Sequence, residues 1–197
     1  MIIRKTAASL AASVGFAMMA AAAFLVLVPT KDAVAANACD AQLSARFIES
    51  APRDRFELTN ESSGDWSVAN VTLDLTASNG QLIFDTESGG IGVEVFQPFR
   101  QENASTAVLA DAMLPADGDD TLALDFDAFG PAAQYQFTID VDDRLTASDL
   151  GQIRVTGGEM AGSVVTVEFQ HSDGRAHTAK GQFDSQNTVK VAMEGCV

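Results

Sequence analysis

Carboxylates are the chemically active groups that this sequence concentrates most strongly. Two short clusters of aspartate stand out, one within residues 117–120 (DGDD) and one within residues 140–143 (DVDD). Their members are Asp117, Asp119, Asp120, Asp140, Asp142 and Asp143. Calcium is bound by about six to eight oxygens, mostly from carboxylates and carbonyls in loops. The composition therefore predicts a cation site, with calcium as the candidate ion, if the clusters converge at one end of the fold.

Solvated turns are the alternative interpretation of both clusters. Neither cluster matches a known calcium loop, because residues 117–120 lack the later glycine and the distal glutamate of an EF-hand.

Residues 135–143 (YQFTIDVDD) show how the second cluster is positioned. Apolar and polar side chains alternate along this segment, and such a period of two is typical of a half-buried β-strand. Asp140 and Asp142 fall on the polar face, so we expect them at the solvated end of a strand. The short Gly130–Pro131 connection favours pairing with residues 121–126, which would bring Asp125 and Asp127 nearby.

The same alternation recurs along the chain between closely spaced turn signals. It predicts strands at residues 42–49, 55–59, 66–75, 81–85, 121–126, 164–170, 175–183 and 187–193. Asn79–Gly80 is a tight-turn pair, so residues 81–85 should return alongside residues 66–75. No long amphipathic helix is apparent. The pattern predicts an all-β fold, a single antiparallel sandwich of Ig-like or jelly-roll type in residues 37–197.

Known catalytic motifs are not found in the sequence. There is no nucleophile elbow, phosphate loop or dinucleotide fingerprint. His171 and His177 flank a turn, but a zinc site needs at least three ligands and no third is marked. A non-catalytic protein is the prediction. The alternative is an envelope hydrolase whose acidic catalytic residues are not marked by any motif.

Residues 1–36 have the features of a signal peptide. Arg4 and Lys5 precede an apolar, alanine-rich run over residues 7–28, and small residues at 33–35 suit a cleavage site. An uncleaved anchor is an alternative, because about 20 apolar residues span a bilayer. Lipidation at Cys39 is another. Cleavage predicts a secreted or periplasmic protein without membrane insertion.

The two cysteines, Cys39 and Cys196, lie near the two ends of the predicted mature chain. In an oxidising compartment such a pair is expected to form a disulfide. Closing so long a loop is worth about 5 kcal/mol in the chain-entropy treatment. Two free thiols are the alternative.

The charge balance limits the partners. The predicted signal holds three of the 12 basic and one of the 27 acidic residues, which leaves nine basic and 26 acidic residues and a net charge of −17. Such a surface repels nucleic acid and anionic membranes, so both are excluded as partners. It also attracts divalent cations.

Two segments carry a resemblance to a known family. FDTESGGIGVEVFQPF (residues 84–99) and YQFTIDVDD, followed by a glycine-rich hairpin at residues 156–174, resemble small exported bacterial proteins similar to the aggregation-factor core protein of marine sponges. The resemblance implies calcium-dependent adhesion at a cell surface, and it marks Asp140, Asp142 and Asp143 as cation ligands. The prediction is an exported module for adhesion or envelope assembly, with a protein, a surface polysaccharide or another copy as its partner.

Overall fold

Twelve strands and one short helix make up the protein in the computed structural model, which describes residues 41–50, 53–93, 95–148 and 150–193. The strands are β1 (Gln42–Ile48), β2 (Arg55–Asn60), β3 (Trp66–Asp74), β4 (Ile83–Asp85), β5 (Arg100–Gln101), β6 (Val108–Met113), β7 (Thr121–Ala128), β8 (Gln134–Thr138), β9 (Asp140–Asp142), β10 (Val164–His171), β11 (Ala176–Gln182) and β12 (Thr188–Ala192). The helix α1 spans Gly157–Met160.

Two five-stranded antiparallel sheets pack against each other. Sheet 1 has the order β12-β1-β2-β8-β5, and sheet 2 has the order β11-β10-β3-β7-β6. Every second residue of the central strands is buried, as the alternation predicts: β2 buries Phe56 and Leu58, and β10 buries Val165 and Val167. These side chains form one apolar core between the sheets. The all-β sandwich is confirmed.

An aromatic row runs through the side of the core that belongs to sheet 1. Phe56 lies between Phe47 and Phe137, with ring centroids 5.1 Å from each. Phe137 also contacts Phe99 and Tyr135. Such ring pairs add to the stabilisation that area burial provides. This row anchors β8, and β8 leads directly into the second aspartate cluster.

The path from β7 to β8 differs from the expectation. β7 pairs with β3 and β6 in sheet 2, whereas β8 pairs with β2 and β5 in sheet 1. The Gly130–Pro131 connection therefore crosses between the sheets and does not form a hairpin. Asp125 is directed to β3, where its Oδ1 accepts a hydrogen bond from Asn70 at 2.7 Å. The predicted contribution of the Asp125 strand to the second cluster was wrong.

A third, two-stranded sheet joins β4 to β9. The predicted return of residues 81–85 along β3 was wrong, because the turn after Ser78 directs the chain away from sheet 2. Gly80 N–H donates to Glu159 O and Arg144 N–H donates to Gly80 O, which ties this turn to two distant segments. β9 is likewise separated from β8: at Ile139 the N–H donates to Asp54 O and the ladder of sheet 1 ends.

The helix α1 begins with a capping box. The Thr156 hydroxyl accepts from Glu159 N–H, and the Glu159 carboxylate accepts from Thr156 N–H. In the described part of the chain, no helix is long and apolar enough to cross a membrane.

Candidate metal centre

The small β4–β9 sheet brings three aspartates together. Asp85 and Asp140 are directly paired in its register. Asp142 lies two residues further along β9 and therefore on the same face of the strand as Asp140. One carboxylate oxygen from each of the three lies within 4.8 Å of the other two. Two oxygens on opposite sides of a calcium ion, each about 2.4 Å from it, are about 4.8 Å apart. The three side chains are therefore spaced for one shared ion.

All three carboxylates are buried. Asp85 is 1% exposed, Asp140 2% and Asp142 1%. The alternating burial of Tyr135 and Phe137 is as predicted, but the expected position of Asp140 and Asp142 at a solvated strand end was wrong. The reason is that residues 86–93 and 95–99 cover the face of β9 that would otherwise be solvated. Val93 N–H donates to Asp142 Oδ2 at 2.7 Å, and Gln97 N–H donates to Asp85 O at 3.1 Å.

Several buried carboxylate oxygens at this end of the sandwich have no hydrogen-bond partner among the described residues. They are Asp85 Oδ1, Asp140 Oδ2, Asp142 Oδ1 and Asp143 Oδ2. An unpaired carboxylate oxygen inside a protein costs several kcal/mol in order of magnitude unless a proton, a cation or a donor compensates it. A cation bound among these four oxygens would compensate for their missing hydrogen bonds.

Burial and repulsion from neighbouring carboxylates raise the pKa values of the three carboxyl groups. Burial raises the pKa of Asp85 to about 7, and the neighbouring Asp142 and Asp117 add to the effect. Burial also raises the pKa of Asp140 to about 8, with further repulsion from Asp142. The pKa of Asp142 is raised mainly by burial, while the Val93 N–H opposes the shift. Without a cation, the group therefore holds protons near neutral pH.

Asp54 extends the row of acids on the far side of Asp140. It comes from the residues just before β2, and its two oxygens accept from Ser50 N–H at 3.3 Å and Val141 N–H at 3.1 Å. Burial raises the pKa of Asp54 to about 9, with repulsion from Glu49 and Asp140. Both oxygens of Asp54 already accept hydrogen bonds, so it is a weaker candidate ligand than Asp85, Asp140 and Asp142. The bond from Val141 N–H holds β9 in place.

Asp117 holds residues 86–92, the glycine-rich loop, in place through hydrogen bonds. Its Oδ2 accepts from Ile91 N–H at 2.6 Å, and its Oδ1 accepts from Thr86 N–H at 2.9 Å and Glu87 N–H at 3.1 Å. These donors, Ile91 N–H first, lower the pKa of Asp117, so it stays ionised beside Asp85. Its role is to fold the loop over the three buried aspartates.

The sequence-predicted ligands therefore separate into groups. Asp140 and Asp142 join Asp85 directly, Asp143 lies buried beside Asp142, and Asp117 adjoins Asp85 through the loop. Asp119 and Asp120 form local contacts instead. Asp119 Oδ2 accepts from Ala116 N–H at 2.9 Å, and Asp120 Oδ1 accepts from the Thr121 hydroxyl at 3.0 Å.

Asp85 is the candidate ligand that the sequence reasoning missed. It ends the apolar run LIF and immediately precedes the glycine-rich segment, and an acid at such a strand-to-loop junction is a usable signal. The pairing of β4 with β9 places it 55 residues from Asp140 in sequence and beside it in space, which no local pattern shows.

The donor set determines the type of ion. Within the described residues, the group that could hold a metal consists of carboxylates alone. Zinc prefers nitrogen and sulfur ligands, whereas calcium and magnesium prefer oxygen. His171 contacts the Trp66 ring and Asp173 on the β10–β11 hairpin, outside this group. The arrangement fits a hard divalent cation.

Cys39 and Cys196 lie outside the described residues, as does the predicted signal at residues 1–36. Comparison with protein-family models, with curated proteins and with solved structures found no match to this chain.

Proposed function

We propose that the protein is an exported, non-catalytic β-sandwich module that binds calcium and acts by contact, in adhesion or in assembly of the cell envelope. The observation that carries the calcium part is the group of Asp85, Asp140 and Asp142, buried together with unpartnered oxygens. The adhesion part is supported by the sequence resemblance and by the acidic, exported character that the sequence predicts.

Calcium is favoured over magnesium by the way this site is built. Magnesium requires near-ideal octahedral geometry and keeps several waters, whereas calcium accepts a larger and more irregular set of oxygens. The three aspartates are fixed by two strands, covered by a loop and almost fully removed from solvent. A site whose ligands come mainly from the protein and not from water suits the larger ion.

A hydrolase with acidic catalytic residues is the alternative, because raised pKa values are also a property of acid–base catalysts. The low solvent exposure of these carboxylates argues against a hydrolase. Asp85, Asp140 and Asp142 are each at most 2% exposed, so a polymer substrate cannot lie against them, whereas an ion needs only their inward-facing oxygens. The burial therefore favours binding over hydrolysis.

Thermal melting in calcium and in chelator tests the binding. A ligand selective for the folded state adds RT ln(1 + [L]/Kd), or about 2.7 kcal/mol at a hundredfold excess over Kd. We expect calcium to raise the melting temperature of the wild-type protein and of Asp119→Asn, and to raise that of Asp140→Asn by much less. Absence of a shift in the wild-type protein at millimolar calcium would remove the calcium part of the proposal.

Bead aggregation tests the contact function separately. Beads coated with the purified protein should cluster in calcium and disperse in chelator, while beads coated with Asp140→Asn should stay dispersed. Clustering that is insensitive to calcium would separate adhesion from the metal site. Dispersed wild-type beads in calcium would show that self-association is not the mode of contact.

The predicted export and disulfide remain predictions from sequence. The intact mass of protein recovered from the producing cell would show both: loss of residues 1–36, and a mass lower by two hydrogen atoms before reduction.

A further inference from the structure

The side chain of Asp143 is buried beside the three aspartates but does not belong to their group. It is 1% exposed, and its Oδ2 has no hydrogen-bond partner among the described residues. Asp142 and Asp143 line the same cavity, so their carboxylates lie on one side of the turn after β9. Asp85, Asp140 and Asp142 can share one ion, yet that arrangement leaves the second oxygen of Asp143 without a partner.

The backbone holds Asp143 in this position. Its N–H donates to Gln152 O at 3.2 Å, and its Oδ1 accepts from Leu145 N–H at 2.9 Å. Arg144 N–H donates to Gly80 O at 3.1 Å. These three bonds fix the turn after β9, so the free Oδ2 is a built feature of the fold and not the result of a side chain that could rotate into solvent.

A cavity of about 270 Å³ lies beside these carboxylates, between the glycine-rich loop and the turn after β9. Asp142, Asp143, Gln152, Gly92 and Val93 are among the residues that line it. At about 30 Å³ for each water, it has room for an ion together with several waters. Asp142 belongs both to this cavity and to the group shared with Asp85.

Arg144 also lines the cavity, but it does not neutralise Asp143. Its side chain is exposed, and it forms no salt bridge with any described carboxylate. A buried carboxylate with no cationic partner is costly, since opposite charge or strong hydrogen bonding is needed to offset its lost hydration.

We propose that this cavity holds a second divalent cation, bound by Asp142 and Asp143 next to the ion at Asp85, Asp140 and Asp142. The inference rests on the proposed calcium binding and adds a second position to it. Gln152 and waters in the cavity supply further oxygens. The cavity is open to solvent on one side, so the second ion exchanges more readily than the first and is the one that responds to the surrounding calcium concentration.

Calcium stoichiometry, measured by equilibrium dialysis of the metal-stripped full chain, tests this proposal. The wild-type protein should bind two ions and Asp143→Asn one, since the asparagine Oδ1 still accepts from Leu145 N–H and preserves the turn. Asp119→Asn is the matched control and should bind two.

The outcomes separate the two proposals. One ion in both the wild-type protein and Asp143→Asn would overturn the second site and leave the first. Two ions in both would place the second ion elsewhere and would equally overturn this assignment. No ion in the wild-type protein would remove both proposals. Should Asp143→Asn fail to fold, the wild-type stoichiometry and the positions of calcium anomalous peaks in crystals still decide the question.

Discussion

Gly92 lies directly over the Asp85 carboxylate, and a Cβ at Gly92 would clash with Asp85 Cγ and lie 2.6 Å from Asp142 Oδ2. The absence of a side chain at this one position is what lets the loop close over two acids at once. Gly90 has the same relationship to Asp117, because a Cβ at Gly90 would clash with Asp117 Oδ2. The glycine-rich loop is therefore the cover of the candidate metal centre.

Replacing Gly92 by alanine should weaken calcium binding. The new methyl group must displace either the loop or the carboxylates of Asp85 and Asp142, and contacts this short do not occur between real Cβ atoms and their neighbours. We expect Gly92→Ala to lose about tenfold or more in calcium affinity, which corresponds to about 1.4 kcal/mol. Calorimetric titration measures it. Gly130→Ala, where a Cβ meets nothing within 4 Å, should bind calcium like the wild-type protein.

The stability of the metal-free protein should fall as pH rises. Folding raises the pKa of Asp85 to about 7, of Asp140 to about 8 and of Asp54 to about 9, from about 3.9 in the unfolded chain. Between these limits the folded state binds more protons than the unfolded state, so the free energy of unfolding decreases with increasing pH.

Melting in chelator between pH 5 and pH 9, values chosen to cover roughly that window, measures this slope. The carboxyls with lowered pKa, Asp117, Asp173 and Asp184, titrate below the window and do not affect the result. A melting temperature that is flat or increases over the window would contradict the burial of these acids. Saturating calcium should reduce the decline, because the ion replaces the protons.

Calcium loading should release protons. Ligand carboxylates must be deprotonated to bind a metal, and near pH 7 Asp140 and Asp85 still hold protons in the metal-free state. We expect about one proton or more per chain on addition of calcium at neutral pH, decreasing to nearly none above about pH 9. A pH-stat titration measures it directly. Binding without proton release at neutral pH would place the ion at other, already ionised acids.

The regular part of the sandwich could be predicted from sequence, because alternation reports burial wherever one face meets the core. β1, β2, β3 and β10 begin and end within two residues of the predicted strands. Asp140 and Asp142 were also identified, as acids in an unusual run. Their burial could not be predicted, because the alternation that places them on a polar face gives no information about a loop that covers that face.

Asp85 and the β4–β9 pairing depend on contacts that are remote in sequence. The Asn79–Gly80 turn has the residues of a hairpin, but Gly80 is bonded to Glu159 and Arg144, and β4 follows those segments to β9. Tertiary hydrogen bonds overrode the local turn preference here. The same override separated β7 from β8 and removed Asp125 from the site.

Asn60 should be one of the most sensitive polar residues outside the metal centre. It is fully buried, and its Nδ2 donates to Phe129 O at 2.7 Å and Trp66 O at 3.3 Å while its Oδ1 accepts from Ser62 N–H. Asn60→Ala leaves these backbone groups without partners, and we expect a loss of about 3 kcal/mol in the free energy of unfolding.

Urea denaturation measures this loss. Exposed Asn79, which makes a single bond to Gly158 O at 3.0 Å, is the matched control, and its alanine variant should lose less than about 1 kcal/mol. Equal losses in the two variants would show that the buried hydrogen bonds of Asn60 contribute no more to stability than the exposed bond of Asn79. Calcium stoichiometry should be unchanged in both.

A crystal structure of the wild-type protein grown in calcium, with anomalous data, tests the central claim most directly. The account predicts an anomalous peak at about 2.3–2.6 Å from one oxygen each of Asp85, Asp140 and Asp142, beneath Gly92. Carboxylates that remain paired with each other through shared protons, with no peak among them at saturating calcium, would contradict it.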